Sequence, residues 1–184
     1  MPRWPWRAEP SNGSKTDSIV AQLPGDDATQ TLDGGCDKPQ KDGADRVAPV
    51  TLLRVAEALE KLEIRYLTDG DGSLLALWER HAVLFALEGP SDEILVIRAR
   101  PHATVPPDWA DRSYRVVNEW NHTRRFYKAY IGDPTDRGQL PIYAEMQVPL
   151  LSGVHDALVA ELVDCAAVVA LGFVDWLHDE GGLL

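Results

Sequence analysis

The 184-residue chain is short of cysteine, of basic charge and of uninterrupted apolar sequence, and each shortage removes a class of protein. Its two cysteines, Cys36 and Cys165, stand far apart in unlike contexts, with no CxxC pair and no Cys/His array at zinc spacing, which excludes a disulfide framework and a zinc module. Lys and Arg number 18 against 29 Asp and Glu, a formal charge of −11. Duplex binding depends on neutralising phosphates with cations, so nucleic acid is not an expected partner. The most apolar stretch, 157–176, is broken by Glu161, Asp164 and Asp175, and the opening MPRWPWR lacks the apolar centre of a signal peptide. A soluble, cytoplasmic protein without membrane contact is expected.

Catalytic signatures are equally scarce. The histidines His81, His102, His122, His155 and His178 are scattered, and none belongs to an HExxH or HxH set. There is no GxSxG, no P-loop, no GxGxxG and no βαβ alternation to place a nucleotide on a helix N-terminus. The run Asp69-Gly70-Asp71-Gly72 looks like a calcium loop until its twelfth position, where Arg80 stands in place of the bidentate glutamate. Asp175, His178 and Asp179 share a helix face, a pattern that suits a solvated helix end better than a cation site. No catalytic, cofactor-binding or metal-binding residue is expected, and the chain is read as a non-enzyme.

What is present begins with a composition change. Residues 1–49 are rich in Pro, Gly, Asp, Ser and Thr, with almost no periodic apolar content, and are expected to form a disordered tail in which Trp4 and Trp6 stand out. Residues 50–184 form one domain. Leu52, Val55, Ala56, Leu59 and Leu62 mark a first helix behind Pro49. Strands are expected over 65–68, 74–79, 83–88 and 94–100, joined by Gly- and Asp-containing turns. A second helix covers 108–123, with Tyr114, Val117, Trp120 and Asn121 on its apolar face and Trp109 in the core, and strands follow over 127–131 and 140–148.

The last helix is expected to start at an Ser152 N-cap and run about 25 residues, with Val154, Leu158, Leu162, Cys165, Val169, Phe173 and Trp176 as its core stripe. Within it, Cys165 is read as a buried, inert thiol and Gly172 as a point of close helix approach or of a slight kink. The apolar stripe widens beyond one face, which predicts a dimer face at Ala166, Val169 and Phe173. The resulting fold class is α+β, an antiparallel sheet flanked by helices in the order α-β-β-β-β-α-β-β-α.

The segment 114–130, YRVVNEWNHTRRFYKAY, is the most distinctive. It joins a helix end carrying Asn118 and Asn121 to the aromatic run Phe126, Tyr127, Ala129 and Tyr130, which suits a strand. Asparagine at a helix end bonds free backbone groups, so a structural role is expected for both. Together with Val117-Asn118-Glu119-Trp120-Asn121, Phe126-Tyr127-Lys128-Ala129-Tyr130 and Leu151-Ser152-Gly153-Val154, the element order resembles the YbjN family of bacterial sensory transduction regulators over about residues 50–180. The resemblance implies an α+β fold similar to type III secretion chaperones, usually a homodimer, with no established catalytic centre. The leader over 1–49 departs from such small chaperones. The expected function is a non-enzymatic protein-interaction or chaperone-like module in stress or signalling regulation, holding an extended partner segment on its sheet or a helix. Its motif residues are Asn118, Trp120, Asn121, Arg124, Arg125 and Lys128. The competing expectation is a small-ligand sensor with a pocket between the sheet and the C-terminal helix.

Overall fold

The structure is a computed structural model that describes residues 46–184, so the expectations for residues 1–45 of the leader, including Trp4, Trp6 and Cys36, lie outside the described residues. From there the elements are α1 (Leu52–Lys61), β1 (Tyr66–Thr68), β2 (Leu74–Leu77), β3 (His81–Glu88), β4 (Ile94–Pro101), a 3-10 turn over Pro107–Trp109, α2 (Ala110–Thr123), β5 (Lys128–Ile131), β6 (Ile142–Pro149) and α3 (Asp156–Asp179). This is the α+β order expected from the sequence.

Local chemistry sets the boundaries. Thr51, in extended conformation, caps α1 by accepting from the Arg54 backbone N–H at 3.3 Å. The Asp69 and Asp71 carboxylates, which resemble a calcium loop in sequence, accept from the backbone N–H groups of Gly70 and Ser73 and so build the β1–β2 turn.

All six strands form one antiparallel sheet in the order β1-β2-β3-β4-β6-β5. The first four strands are successive hairpins. After β4 the chain passes through α2 to the sheet's far edge, lays down β5, and returns with β6 between β4 and β5. Alternation along β4 sends Leu95, Ile97 and Ala99 into the core with Val83 and Phe85 of β3 and Ala144 of β6. The helices supply the other side of that core through Val55 and Leu59 of α1 and Phe173 and Leu177 of α3, all fully buried. Each such side chain contributes roughly 1.5–3 kcal/mol. On the alternate positions of the sheet, Arg98 pairs with Glu145 across β4 and β6, and Tyr130 donates its hydroxyl to the same carboxylate at 3.2 Å.

Arg54 ties the start of the domain to α3. Its Nε donates to Asp156 at 2.7 Å, one terminal nitrogen donates to the carbonyls of Ala48 and Pro49 at 2.8 Å each, and the other to the Val154 carbonyl at 2.6 Å. The short antiparallel bridge between Ala48 and Val154 beside it brings backbone so close to Gly153 that a Cβ there would lie 3.0 Å from the Ala48 carbonyl oxygen, and Gly153 takes φ +84°.

That bridge corrects the expected start of α3. Ser152 is not the cap; the chain from 150 to 154 is a left-handed turn and a bridge, and the helix opens at Asp156 after His155. The helix phase differs as well. Its buried face is Val159, Val163, Ala166, Ala170, Phe173, Val174, Trp176 and Leu177, whereas Leu158 is exposed and Cys165 half-buried. By length and composition α3 is apolar enough to cross a membrane, with 33 % of its most apolar window buried; here it is a layer over the sheet, packed on α1, β3 and β4. On α2 the buried face is Ser113, Val116, Val117 and Trp120. Tyr114 and Trp109 are exposed, and Trp109 lies under the Arg112 guanidinium at 4.9 Å, where a cation rather than the core covers its ring.

Candidate protein-interaction site

The α2–β5 junction is held from both sides. Asn121, on the last turn of α2, donates from Nδ2 to the Ala129 carbonyl at 2.9 Å and accepts at Oδ1 from the Ala129 N–H at 2.7 Å. β5 is an edge strand, so these outward-facing backbone groups have no neighbouring strand, and the Asn121 amide stands in for one. One residue earlier, Trp120 is buried and donates its indole N–H to the Tyr127 carbonyl at 3.2 Å. Tyr127 is itself fully buried, with its hydroxyl on the Ala166 carbonyl at 3.2 Å, and burial pushes its pKa far above the ordinary phenol range.

With Trp120 and Tyr127 both pinned inward, the residues between them must turn outward. Arg124 leaves the helix in extended conformation, and Phe126 adopts φ +68°, a left-handed backbone that costs a residue with a Cβ about 1–2 kcal/mol. Phe126 is 65 % exposed.

Phe126 forms one wall of a groove of about 490 Å³ between the junction and the outer side of α3. Val168, 63 % exposed, and Gly172 lie opposite, and the edges of Trp120 and Trp176 form the floor. Arg124 and Arg125 line the junction rim; Asp175, Asp179 and Glu180 line the α3 rim. Some of these charges are already engaged: Arg124 lies 3.5 Å from Glu180 and 5.8 Å above the Trp120 ring, Glu180 accepts from the Trp176 indole at 2.9 Å, and Asp175 pairs with Arg80. Arg125 and Asp179 form no ion pair among the described residues.

Of the residues expected from sequence, Trp120, Arg124 and Arg125 come together here, and Asn121 positions them. Lys128 is exposed and donates to the Asn121 carbonyl at 3.3 Å. Asn118 does not join them: it is exposed on α2, with no hydrogen bond from its side chain among the described residues, so the structural role expected for both asparagines belongs to Asn121. The dimer face expected at Ala166, Val169 and Phe173 is also redistributed. Ala166 and Phe173 are fully buried, Phe173 edge-on to Trp120 with ring centroids 4.9 Å apart, because they face the sheet; only Val169 reaches the groove. Gly172 makes no close helix approach, since nothing lies within 4 Å of its missing Cβ. That Phe126, Val168 and Asp179 line one groove was not legible in the sequence, where Phe126 is expected in a strand and Asp179 at a solvated helix end. Gly172, a helix-weakening residue inside an apolar helix, was the one visible signal.

An apolar floor with oppositely charged rims suits a protein surface. No nucleophile stands beside a base in it: Cys165 is half-buried elsewhere on α3, and burial, aided by Asp164 and Glu161, raises its thiol above the usual range. Between the sheet and α3, where the competing sensor reading sets its pocket, Phe85, Ile97, Phe173 and Leu177 are fully buried in the core.

These features define an α+β fold with an exposed apolar groove. The family model described as "YbjN: Putative bacterial sensory transduction regulator" matches residues 51–179, and the chain belongs to the YbjN family. A solved structure described as "Crystal structure of YbjN, a putative transcription regulator from E. coli" is similar in fold, with a TM-score of 0.60 and 14 % sequence identity, over 73 % of this chain and 97 % of that one. No curated protein matches the chain.

Proposed function

We propose that this YbjN-family chain is a non-enzymatic, cytoplasmic interaction module with a chaperone-like role in bacterial stress or signalling regulation, and that it docks a protein in the groove between the α2–β5 junction and α3. Phe126 carries the reading. The fold holds this residue 65 % exposed on a left-handed backbone, a cost of about 1–2 kcal/mol that no burial within the described residues offsets. An apolar partner surface covering that ring would offset it, and large aromatics are the usual anchors of protein interfaces.

The test is affinity capture from mild lysates of the source cells, with the full-length chain and its Phe126→Ser variant as baits. A protein retained in stoichiometric amount by the parent and lost from the variant supports the docking role. Equal retention by both baits places docking elsewhere, and retention of nothing by either removes the interaction reading.

A further inference from the structure

The outer side of α3 has a pattern of its own. Ala157, Glu161, Asp164, Val168, Leu171 and Asp175 follow one another at alternating steps of four and three residues, and Asp179 lies one turn further on. That spacing sets them in one seam along the helix, of the kind a second helix follows when it packs alongside. The seam faces away from the sheet, opposite the buried residues of α3: Val168 and Leu171 are 63 % and 49 % exposed, and Glu161, Asp164 and Asp179 are exposed as well. It is apolar in its middle and acidic at both ends. Phe126 lines the same groove as Val168, Asp175 and Asp179, and so adds an apolar row beside the seam.

Charge decides what such a seam accepts. Asp175 is paired with Arg80 and Glu180 with Arg124, but Glu161, Asp164 and Asp179 form no ion pair among the described residues. Arg125 forms none either, which leaves three acids against one base along the seam and its groove. A second copy laid antiparallel about Val168 would set Glu161 against the other copy's Asp175, and a parallel copy in register would set each acid against itself, so the seam repels its own likeness. Nucleic acid phosphates and anionic lipid headgroups meet the same repulsion. A helix with apolar residues over Val168 and Leu171 and Lys or Arg over the two acidic ends meets complementary surface along its whole length.

We infer that the occupant of the groove is an amphipathic helix of another protein, apolar along its middle and cationic at both ends, laid along the outer seam of α3 with Phe126 at its side. This rests on the groove being a protein-docking surface, as proposed above, and names the chemistry of the partner.

Fluorescence anisotropy of the full chain with two designed peptides tests it. Both are helices of about three heptads with the same leucine seam, one flanked by lysines and the other by glutamates. The lysine-flanked peptide is expected to bind at least about tenfold more tightly than the glutamate-flanked one, and Val168→Ser to weaken it about fivefold. Glu161→Lys combined with Asp164→Lys is expected to erase most of the preference. Asp133→Lys combined with Asp136→Lys, exposed between β5 and β6, changes the net charge equally and should alter the preference less than about twofold. All variants lie at exposed positions and are expected to keep the parental circular dichroism spectrum. Equal loss of preference in the two double variants would show a general attraction to an acidic chain and overturn the inference. So would a preference that survives the α3 reversals, equal or tighter binding of the glutamate-flanked peptide, or no binding of either at about 100 μM. If neither peptide binds while the parent still captures a protein that Phe126→Ser loses, the docking reading stands and only the cationic helix falls.

Discussion

Replacing Asn121 with alanine takes away both amide atoms that close the outer edge of β5, and its cost follows from what they leave behind. The Ala129 N–H loses its 2.7 Å acceptor and the Ala129 carbonyl its 2.9 Å donor, at a residue only 5 % exposed. A buried donor left unsatisfied costs about 1–3 kcal/mol, while the carbonyl, with its second lone pair, loses less. A total of about 2–3 kcal/mol is expected, or roughly 6–12 °C in Tm for a domain of this size. Asn121→Asp keeps the acceptor but turns a second oxygen toward the Ala129 carbonyl, so it should fall in the same range. Asn118→Ala is the control: Asn118 is exposed on the same helix, and its loss should stay within about 0.5 kcal/mol. Thermal unfolding followed by circular dichroism decides. Equal, small shifts for Asn118→Ala and Asn121→Ala would refute the edge-closing role, and a larger loss for Asn118 would reverse the assignment.

Further outcomes follow from other contacts. Arg54 donates to Asp156 and to three backbone carbonyls, and Arg54→Lys cannot reproduce that fork, so both Arg54→Lys and Arg54→Ala should lower chemical-denaturation stability by about 2–4 kcal/mol; a loss under about 1 kcal/mol for the alanine would show that the network contributes little. His81 is buried flat against Trp78, ring centroids 5.0 Å apart, with no hydrogen-bond partner on either nitrogen among the described residues, and burial, then His102 and Arg80, lower its pKa against the opposing pull of Asp175. Folded His81 therefore stays neutral where the unfolded chain takes up a proton, so its contribution to stability is complete above about pH 6.5 and declines as pH falls below it, by at most about 1.4 kcal/mol per pH unit. His81→Phe keeps the stacking and should flatten the denaturation midpoint between about pH 7.5 and 5.5, whereas an unaltered pH slope would exclude His81 as its source. Ala166→Asp places a charge in the core beneath Tyr127, and should unfold the chain, seen as loss of the circular dichroism spectrum, where a residue of a subunit interface would yield a folded monomer.

Much of this architecture is legible in the sequence because its cues are local. Pro49 ahead of the first helix, the Asp-Gly turns and the period-two strands act over a few residues, and they give the element order directly. α3 shows where such cues fail. Leu158, Leu162, Cys165, Val168, Val169 and Leu171 make it apolar on sides that do not face the sheet, so periodicity alone selects the wrong stripe, and Ala166 and Phe173 pass for a dimer face when they are core. The groove was hidden for a related reason. In sequence Phe126 continues the aromatic run into Tyr127 and suits a strand; only the inward anchoring of Trp120 and Tyr127, across seven residues, turns it to the surface. Asn121 could be read as structural, but its partner, the edge of β5, depends on a sheet order that brings β6 in between β4 and β5.

The most direct test of the docking surface is site-specific photocross-linking in the source cells, with benzoylphenylalanine replacing Val168 in the groove and, as control, Thr68 on the exposed β1 strand of the full-length chain. A discrete protein adduct from position 168, absent from 68 and lost when Phe126→Ser is added, is the expected result, whether the adduct is a second copy or another protein. No adduct from 168, or the same adduct from both positions, would contradict the assignment of this groove as the surface through which the protein works.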